Sequence, residues 1–129
     1  MLPAAHRLRR SVDFERTVRR GTRAGRSTVV VHLLVDLEAG QPAREGVDED
    51  GEPTQVGLVV SKAVGNAVHR NRVKRRLRHA AAAHLSSVPA GSRLVVRALP
   101  ASSTATFAEL DRDLVSSLDR AVARARRAS

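Results

Sequence analysis

From Pro53 to Phe107 the chain contains no aspartate or glutamate, and six of the nine lysines and arginines in that span fall within the nine positions Arg70 to Arg78. The run GNAVHRNRVKRRLRHA, Gly65 to Ala80, must fold in a way that tolerates unbalanced charge. An α-helix does so if one face is apolar enough to be held against a core. With Val73 at zero and about 100° per residue, Leu77, Ala80 and His84 fall within about 40° and Ala81 at roughly 80°, which defines that face. Asn71, Arg75 and Arg78 lie opposite, with Arg72 and Arg76 on one flank and Lys74 on the other. Like charges at three- and four-residue spacing cost a few tenths of a kcal/mol per pair in the free protein. A solvated basic face is the bland alternative. Against it stand the absence of interleaved glutamates and the placing of the Asn71 amide, which can reach a base edge or a ribose hydroxyl, among the arginines. A bound phosphate backbone removes the repulsion and releases counterions.

The charge elsewhere is segregated in the same sense. Residues 1–35 hold eight arginines against Asp13 and Glu15, residues 36–52 hold seven acids against Arg44, and the whole chain of 129 residues carries +10. Such a pattern suits a chain that meets a polyanion over one broad surface and stays soluble elsewhere. The length fits one domain able to bury about two-thirds of its unfolded surface. Having no cysteine, the chain forgoes disulfides, thiolate catalysis and cysteine-ligated zinc, and it fits a reducing compartment. The longest apolar run, TVVVHLLV, is too short to span a bilayer, so no membrane association and a cytoplasmic location are expected.

Along the chain, SVDFERTVRRG reads as a short helix with Ser11 as N-cap, Gly21 as stop, and Phe14 and Val18 one turn apart in an apolar stripe. RSTVVVHLLVDLE is β-branched and reads as a strand covered on both faces. Residues 38–54, rich in acids, glycine and proline, read as a mobile loop. QVGLVVSK is the next strand, the Gly65–Asn66 pair opens the basic helix running to about Leu85, and RLVVRAL is a further strand. A closing helix capped by Ser103 or Thr104 buries Phe107, Leu110, Leu114, Leu118, Val122 and Ala125. These elements predict a single α+β domain of residues 1–129, with a small mixed sheet of about four strands in the order α-β-β-β-α-β-α and helices on one side of the sheet.

A protein-borne nuclease site would need clustered carboxylates for metal ions or a histidine acid–base pair. The acid-free half offers no carboxylate. His79 and His84 stand about 140° apart on the helix and cannot chelate one ion together, with His84 expected toward the core and His79 toward solvent. His69 suits a phosphate or packing contact. Asp111 and Asp113 read as a solvated face of the last helix.

The stretch GLVVSKAVGNAVHRNRVKRRLRHA resembles the signature of the bacterial ribonuclease P protein family, with Arg70, Asn71 and Arg72 at its Arg-Asn-Arg motif. MLPAAHRLRRSVDFERTVRRG is similar to that family's N-terminus, in the same order and spacing. The resemblance implies a ribosomal protein S5 domain 2-like fold with a left-handed helix crossover between parallel strands. It also implies a subunit that binds ribonuclease P RNA and helps remove the 5′ leader of precursor tRNA, with Mg2+ held mainly by the RNA, catalysis by the RNA and no obligate protein partner. Carried over, Arg70, Asn71, Arg72, Lys74, Arg75, Arg76 and Arg78 face the RNA, and Phe14, Val18, His32 and Lys62 belong to a leader-binding cleft. Relatives often carry aromatics where this chain has Val18 and His32, which implies weaker or differently placed stacking, a contact worth about 1–3 kcal/mol per base. A general RNA-binding module, ribosomal or chaperone-like, shares the charge pattern without a role in cleavage; a reader of RRM type is disfavoured by the scarcity of aromatics, two phenylalanines in all.

Overall fold

The computed structural model describes residues 6–35 and 54–128. Apart from Thr54, the predicted acidic loop at 38–54 lies outside the described residues. Thr54 itself is buried: its carbonyl lies 2.7 Å from His6 Nδ1, and its hydroxyl donates to the Pro89 carbonyl at 3.3 Å. The elements are α1 (Ser11–Arg20), β1 (Thr22–Gly25), β2 (Val29–Leu34), β3 (Gln55–Val59), α2 (Ala67–Ala83), β4 (Arg93–Ala98) and α3 (Phe107–Ala128), the predicted α-β-β-β-α-β-α order. The chain is an α+β domain with one mixed four-stranded sheet ordered β1-β2-β4-β3. β2 runs antiparallel to both β1 and β4, and β3 pairs with β4 in parallel through the α2 crossover. None of the described helices is long and apolar enough to cross a membrane.

Side chains of a strand alternate between faces, and the register sorts the sheet accordingly. Val29, Val31 and Leu33 of β2 stand beside Ala98, Val96 and Leu94 of β4 on one face, together with Val56 of β3. They join Val73, Leu77 and Ala80 of α2 and Leu110, Leu114 and Leu118 of α3 in one core. Val30, His32, Val95 and Gly57 point the other way, and a β-carbon built at Gly57 would overlap the Phe14 ring of α1. Helices therefore cover both faces, and the expectation of helices on one side is corrected. β2 is apolar at alternate positions on both sides because each side is covered, and five of its six residues are buried.

Two caps differ from expectation. Arg10, in extended conformation, occupies the N-cap of α1 without a side-chain bond, and Ser11 is the first helical residue. The residues before α3 form a short 3-10 turn, Pro100–Ser103, so neither Ser103 nor Thr104 caps it. Thr106 does: Glu109 N–H donates to the Thr106 hydroxyl at 3.1 Å, while the Glu109 carboxylate accepts from Thr106 N–H at 2.7 Å. This reciprocal capping box is spelled by the Thr-Phe-Ala-Glu sequence, and those bonds to Thr106 hold the Glu109 carboxyl below its ordinary range. Phe107, at the helix start, escapes the core at 39% exposure and meets His79 edge-on, with ring centroids 5.7 Å apart.

The carboxylates of α3 also correct the sequence reading. Asp113 is buried and accepts from the Thr28 hydroxyl at 2.7 Å and the Thr28 N–H at 3.2 Å, tying α3 to the start of β2. Asp111 Oδ1 lies 2.9 Å from His84 Nε2, so His84 bridges the end of α2 to α3 at a half-buried rim instead of entering the core. Replacing Asp113 by alanine strands two buried Thr28 donors at a cost of about 1–3 kcal/mol. The expected outcome is a lower melting temperature, with Asp113→Asn losing less because it keeps an acceptor; equal melting of Asp113→Ala and the parent would show that this tie adds no stability.

Candidate RNA interface

α2 owes its start to two residues. Gly65 adopts φ 152°, a conformation that side-chain-bearing residues avoid, and the Asn66 side chain accepts from His69 N–H at 3.0 Å as N-cap. Val73, Leu77, Ala80 and Ala81 are buried, which turns the opposite face outward as the 3.6-residue period requires. Asn71 and Arg75 are exposed, while Arg70, Arg72, Lys74, Arg76 and Arg78 are half-buried along the flanks. Among the described residues the ion pairs are Arg19–Glu15, His84–Asp111 and Arg93–Asp13, so none involves a lysine or arginine of α2. The helix has no acid in its first turn and no basic residue in its last. That arrangement opposes the helix dipole, whose positive end favours anions, and so strengthens the positive potential at the N-terminal half.

The two flanks differ. Arg76 donates to the Ala105 carbonyl at 3.0 Å, which fastens α2 to the segment leading into α3 and leaves its other N–H groups for a partner. Lys74 and Arg78 turn the other way and line a notch with Arg7, Arg9, Phe14 and Gly57. The N-terminal segment reaches this notch because Leu8 N–H donates to the Val56 carbonyl at 2.9 Å, extending the sheet past β3. Phe14 thereby stands between the basic helix and a second feature, an apolar groove lined by Ser11, Phe14, Glu15, Val18, Arg19 and Val59.

Of the residues expected in a leader cleft, Phe14 and Val18 meet in this groove, joined by Val59, which sequence reading did not single out. Gly57 makes the groove possible, since any side chain there would displace the Phe14 ring. His32 lies on the same face of the sheet but is only 7% exposed, and it is not among the groove's lining residues. Lys62 is exposed on the turn after β3, outside the groove lining. Arg97, exposed and paired in register with Val59, supplies a cation beside the groove that sequence reading did not single out, although the even spacing of Arg93 and Arg97 in RLVVRA puts them on one face. Among the described residues no three His, Asp or Glu side chains gather closely enough to hold a metal ion.

Burial, with Arg97 and Arg23 nearby, pushes the His32 imidazole below its ordinary 6.5. Its Nδ1 is buried without a hydrogen-bond partner. A depressed histidine stays neutral in the folded chain while the unfolded chain takes up a proton, so stability falls as pH drops below about 6.5. Melting temperatures measured from pH 7.5 to 5 are expected to decline less steeply for His32→Asn than for the parent; parallel declines would show that His32 does not contribute.

A four-stranded sheet with an aromatic-floored groove on one face and, alongside, a cationic helix that meets no carboxylate among the described residues defines a small RNA-binding protein. The sequence profile of the Ribonuclease P family matches residues 2–122. A ribonuclease P protein component from a Nocardioides species is 57% identical over 114 residues, covering 88% of this chain and 89% of that one. The Salinispora tropica component is 52% identical, covering 98% and 94%. Among solved structures, Staphylococcus aureus RNase P protein superposes with a TM-score of 0.72 at 27% identity, covering 90% of this chain and 94% of that one. The Thermotoga maritima RNase P protein, at 24% identity and a TM-score of 0.68, shares the fold. The chain belongs to the ribonuclease P protein family, and with it to a tRNA-processing endoribonuclease whose protein component associates with RNA.

Proposed function

We propose that the outer face of α2 docks on the ribonuclease P RNA while the groove between α1 and the sheet holds the 5′ leader of precursor tRNA. The observation that carries this reading is a helix with five arginines and one lysine between positions 70 and 78 and, among the described residues, no carboxylate paired to any of them. Phosphates supply the missing anions, and Asn71, exposed among the cations, adds a neutral hydrogen-bonding group. The groove offers Phe14 as a stacking surface, Val18 and Val59 as apolar walls, and Arg97 as a nearby charge. In this division of labour the RNA carries out the cleavage with Mg2+ bound mainly to itself. The protein orients the substrate, raises its affinity and lowers the repulsion between two polyanions. His84 and Asp111, although 2.9 Å apart, serve as an interhelical clamp.

Reconstitution tests the assignment. Precursor tRNA mixed with a bacterial ribonuclease P RNA at low magnesium is expected to be cut at the mature 5′ end much faster with the protein than without it, and not at all by protein alone. Cleavage by protein alone would point to a protein nuclease, and tight RNA binding without stimulation to a general RNA-binding module.

Two variants separate the two surfaces. Arg75→Ala combined with Arg78→Ala is expected to weaken binding to the catalytic RNA and to flatten the log–log salt dependence by roughly one to two units, with melting unchanged. An unaltered slope would mean that this face does not meet phosphate. Phe14→Ala is expected to reduce the preference for leader-bearing over leaderless substrate, by up to about 1–3 kcal/mol if one base stacks there. Equal losses for both substrates would instead indicate a packing defect.

A further inference from the structure

The groove reaches the C-terminal end of α1, where Arg19 lines it, and α1 ends one residue later at Arg20. The chain then passes through Gly21 directly into β1, an edge strand. On β1, Arg23 is exposed on the groove's face of the sheet, paired in register with His32. The last turns of α3 lie against this strand. Arg124 donates to the Arg23 carbonyl, Arg120 donates to the Gly25 carbonyl, and the Thr22 hydroxyl donates to the Ala121 carbonyl at 3.1 Å. Arg124 is thereby fixed beside Arg23, with exposed Arg20 at the end of α1 and exposed Arg127 less than one turn further along α3.

The described stretches 16–35 and 120–128 contain no aspartate or glutamate. Of the described carboxylates flanking them, Glu15 is paired with Arg19 at 3.0 Å, and Asp119 is exposed on α3. An edge strand ordinarily offers its outward carbonyls to another strand. Here guanidinium groups already occupy those of Arg23 and Gly25. A guanidinium has five N–H donors, so each keeps its charge and further donors after making one such bond. This edge therefore presents charge instead of strand pairing, which suits a phosphodiester backbone and disfavours a β-strand peptide.

We infer that Arg20, Arg23, Arg124 and Arg127 hold the 5′-distal part of the precursor tRNA leader, continuing the strand's path from the groove past Arg19. This rests on the leader reading above. It makes the protein sensitive to leader length beyond the nucleotides that the groove accommodates, through backbone charge and without regard to base identity.

The test measures affinity of the reconstituted protein–RNA complex for precursor tRNAs whose leaders lengthen nucleotide by nucleotide from none. Affinity of the parent is expected to rise first with groove occupancy and again once the strand reaches the β1 edge. Arg23→Ala with Arg124→Ala is expected to remove only the second rise, and to flatten the salt slope for long leaders by about 1.4 units, at roughly 0.7 per phosphate contact of a single strand. Arg124 also bonds β1, so Arg20→Ala with Arg127→Ala, both exposed side chains, is measured in parallel with the same expectation. Unchanged length dependence in both double variants overturns the inference. So does an equal loss with and without a leader, which would give this edge to another part of the RNA. If the parent shows no preference for any leader, the leader reading itself fails, a result separable from failure at the β1 edge alone.

Discussion

The burial of Val73, Leu77, Ala80 and Ala81 against the sheet and α3 is what allows α2 to carry its charge. Fully burying one valine or leucine is worth about 1.5–3 kcal/mol, whereas each like-charge pair on the outer face costs a few tenths. The apolar stripe therefore outweighs the repulsion, and the helix forms although, among the described residues, no carboxylate pairs with its cations. The capping amide of Asn66 and the reversed fit of charge to dipole leave the N-terminal half of α2 strongly positive. A free domain gains nothing from that arrangement. A complex with folded RNA gains counterion release for every phosphate met.

The rest of the architecture serves to place a second surface next to the first. With α2 and α3 filling one face of the sheet, α1 is free to lie on the other, where Gly57 admits the Phe14 ring. Phe14 lines both the groove and the notch of Lys74 and Arg78, so the strand-holding surface and the basic helix share one side chain. The arginines at 76, 120 and 124 bond main-chain carbonyls and knit the layers together while keeping their charge. Arginine suits this double use because its planar fork has several donors and stays ionised at any accessible pH.

Much of this was legible in the sequence because period and charge are local properties. The buried face of α2, the order of the elements and the Leu110–Leu114–Leu118 stripe follow from spacing alone. The side of the sheet taken by α1 was not, since an apolar stripe of Phe14 and Val18 fits either face; the choice is made by Gly57, more than forty residues away. Asp113 read as solvated for a similar reason: its partner, Thr28, lies in a distant loop. The Thr106–Glu109 box is readable in the sequence, but Ser103 and Thr104 are equally good capping types, and only the 3-10 turn at Pro100–Ser103 decides between them. Of the candidate site, Phe14 and Val18 converge where the resemblance implied, whereas His32 is buried beneath the same face and Lys62 stands apart on its turn.

If RNA lies against the outer face of α2, a chain without cysteine permits a direct measurement of it. A single Asn71→Cys or Ser86→Cys variant carries a tethered hydroxyl-radical source, one on that face and one on the exposed turn beyond the helix. In the complex with ribonuclease P RNA, strong, localised strand cuts are expected from position 71 and weak or no cuts from position 86. Cuts from position 86 alone, with none from 71, would contradict that placement of the RNA.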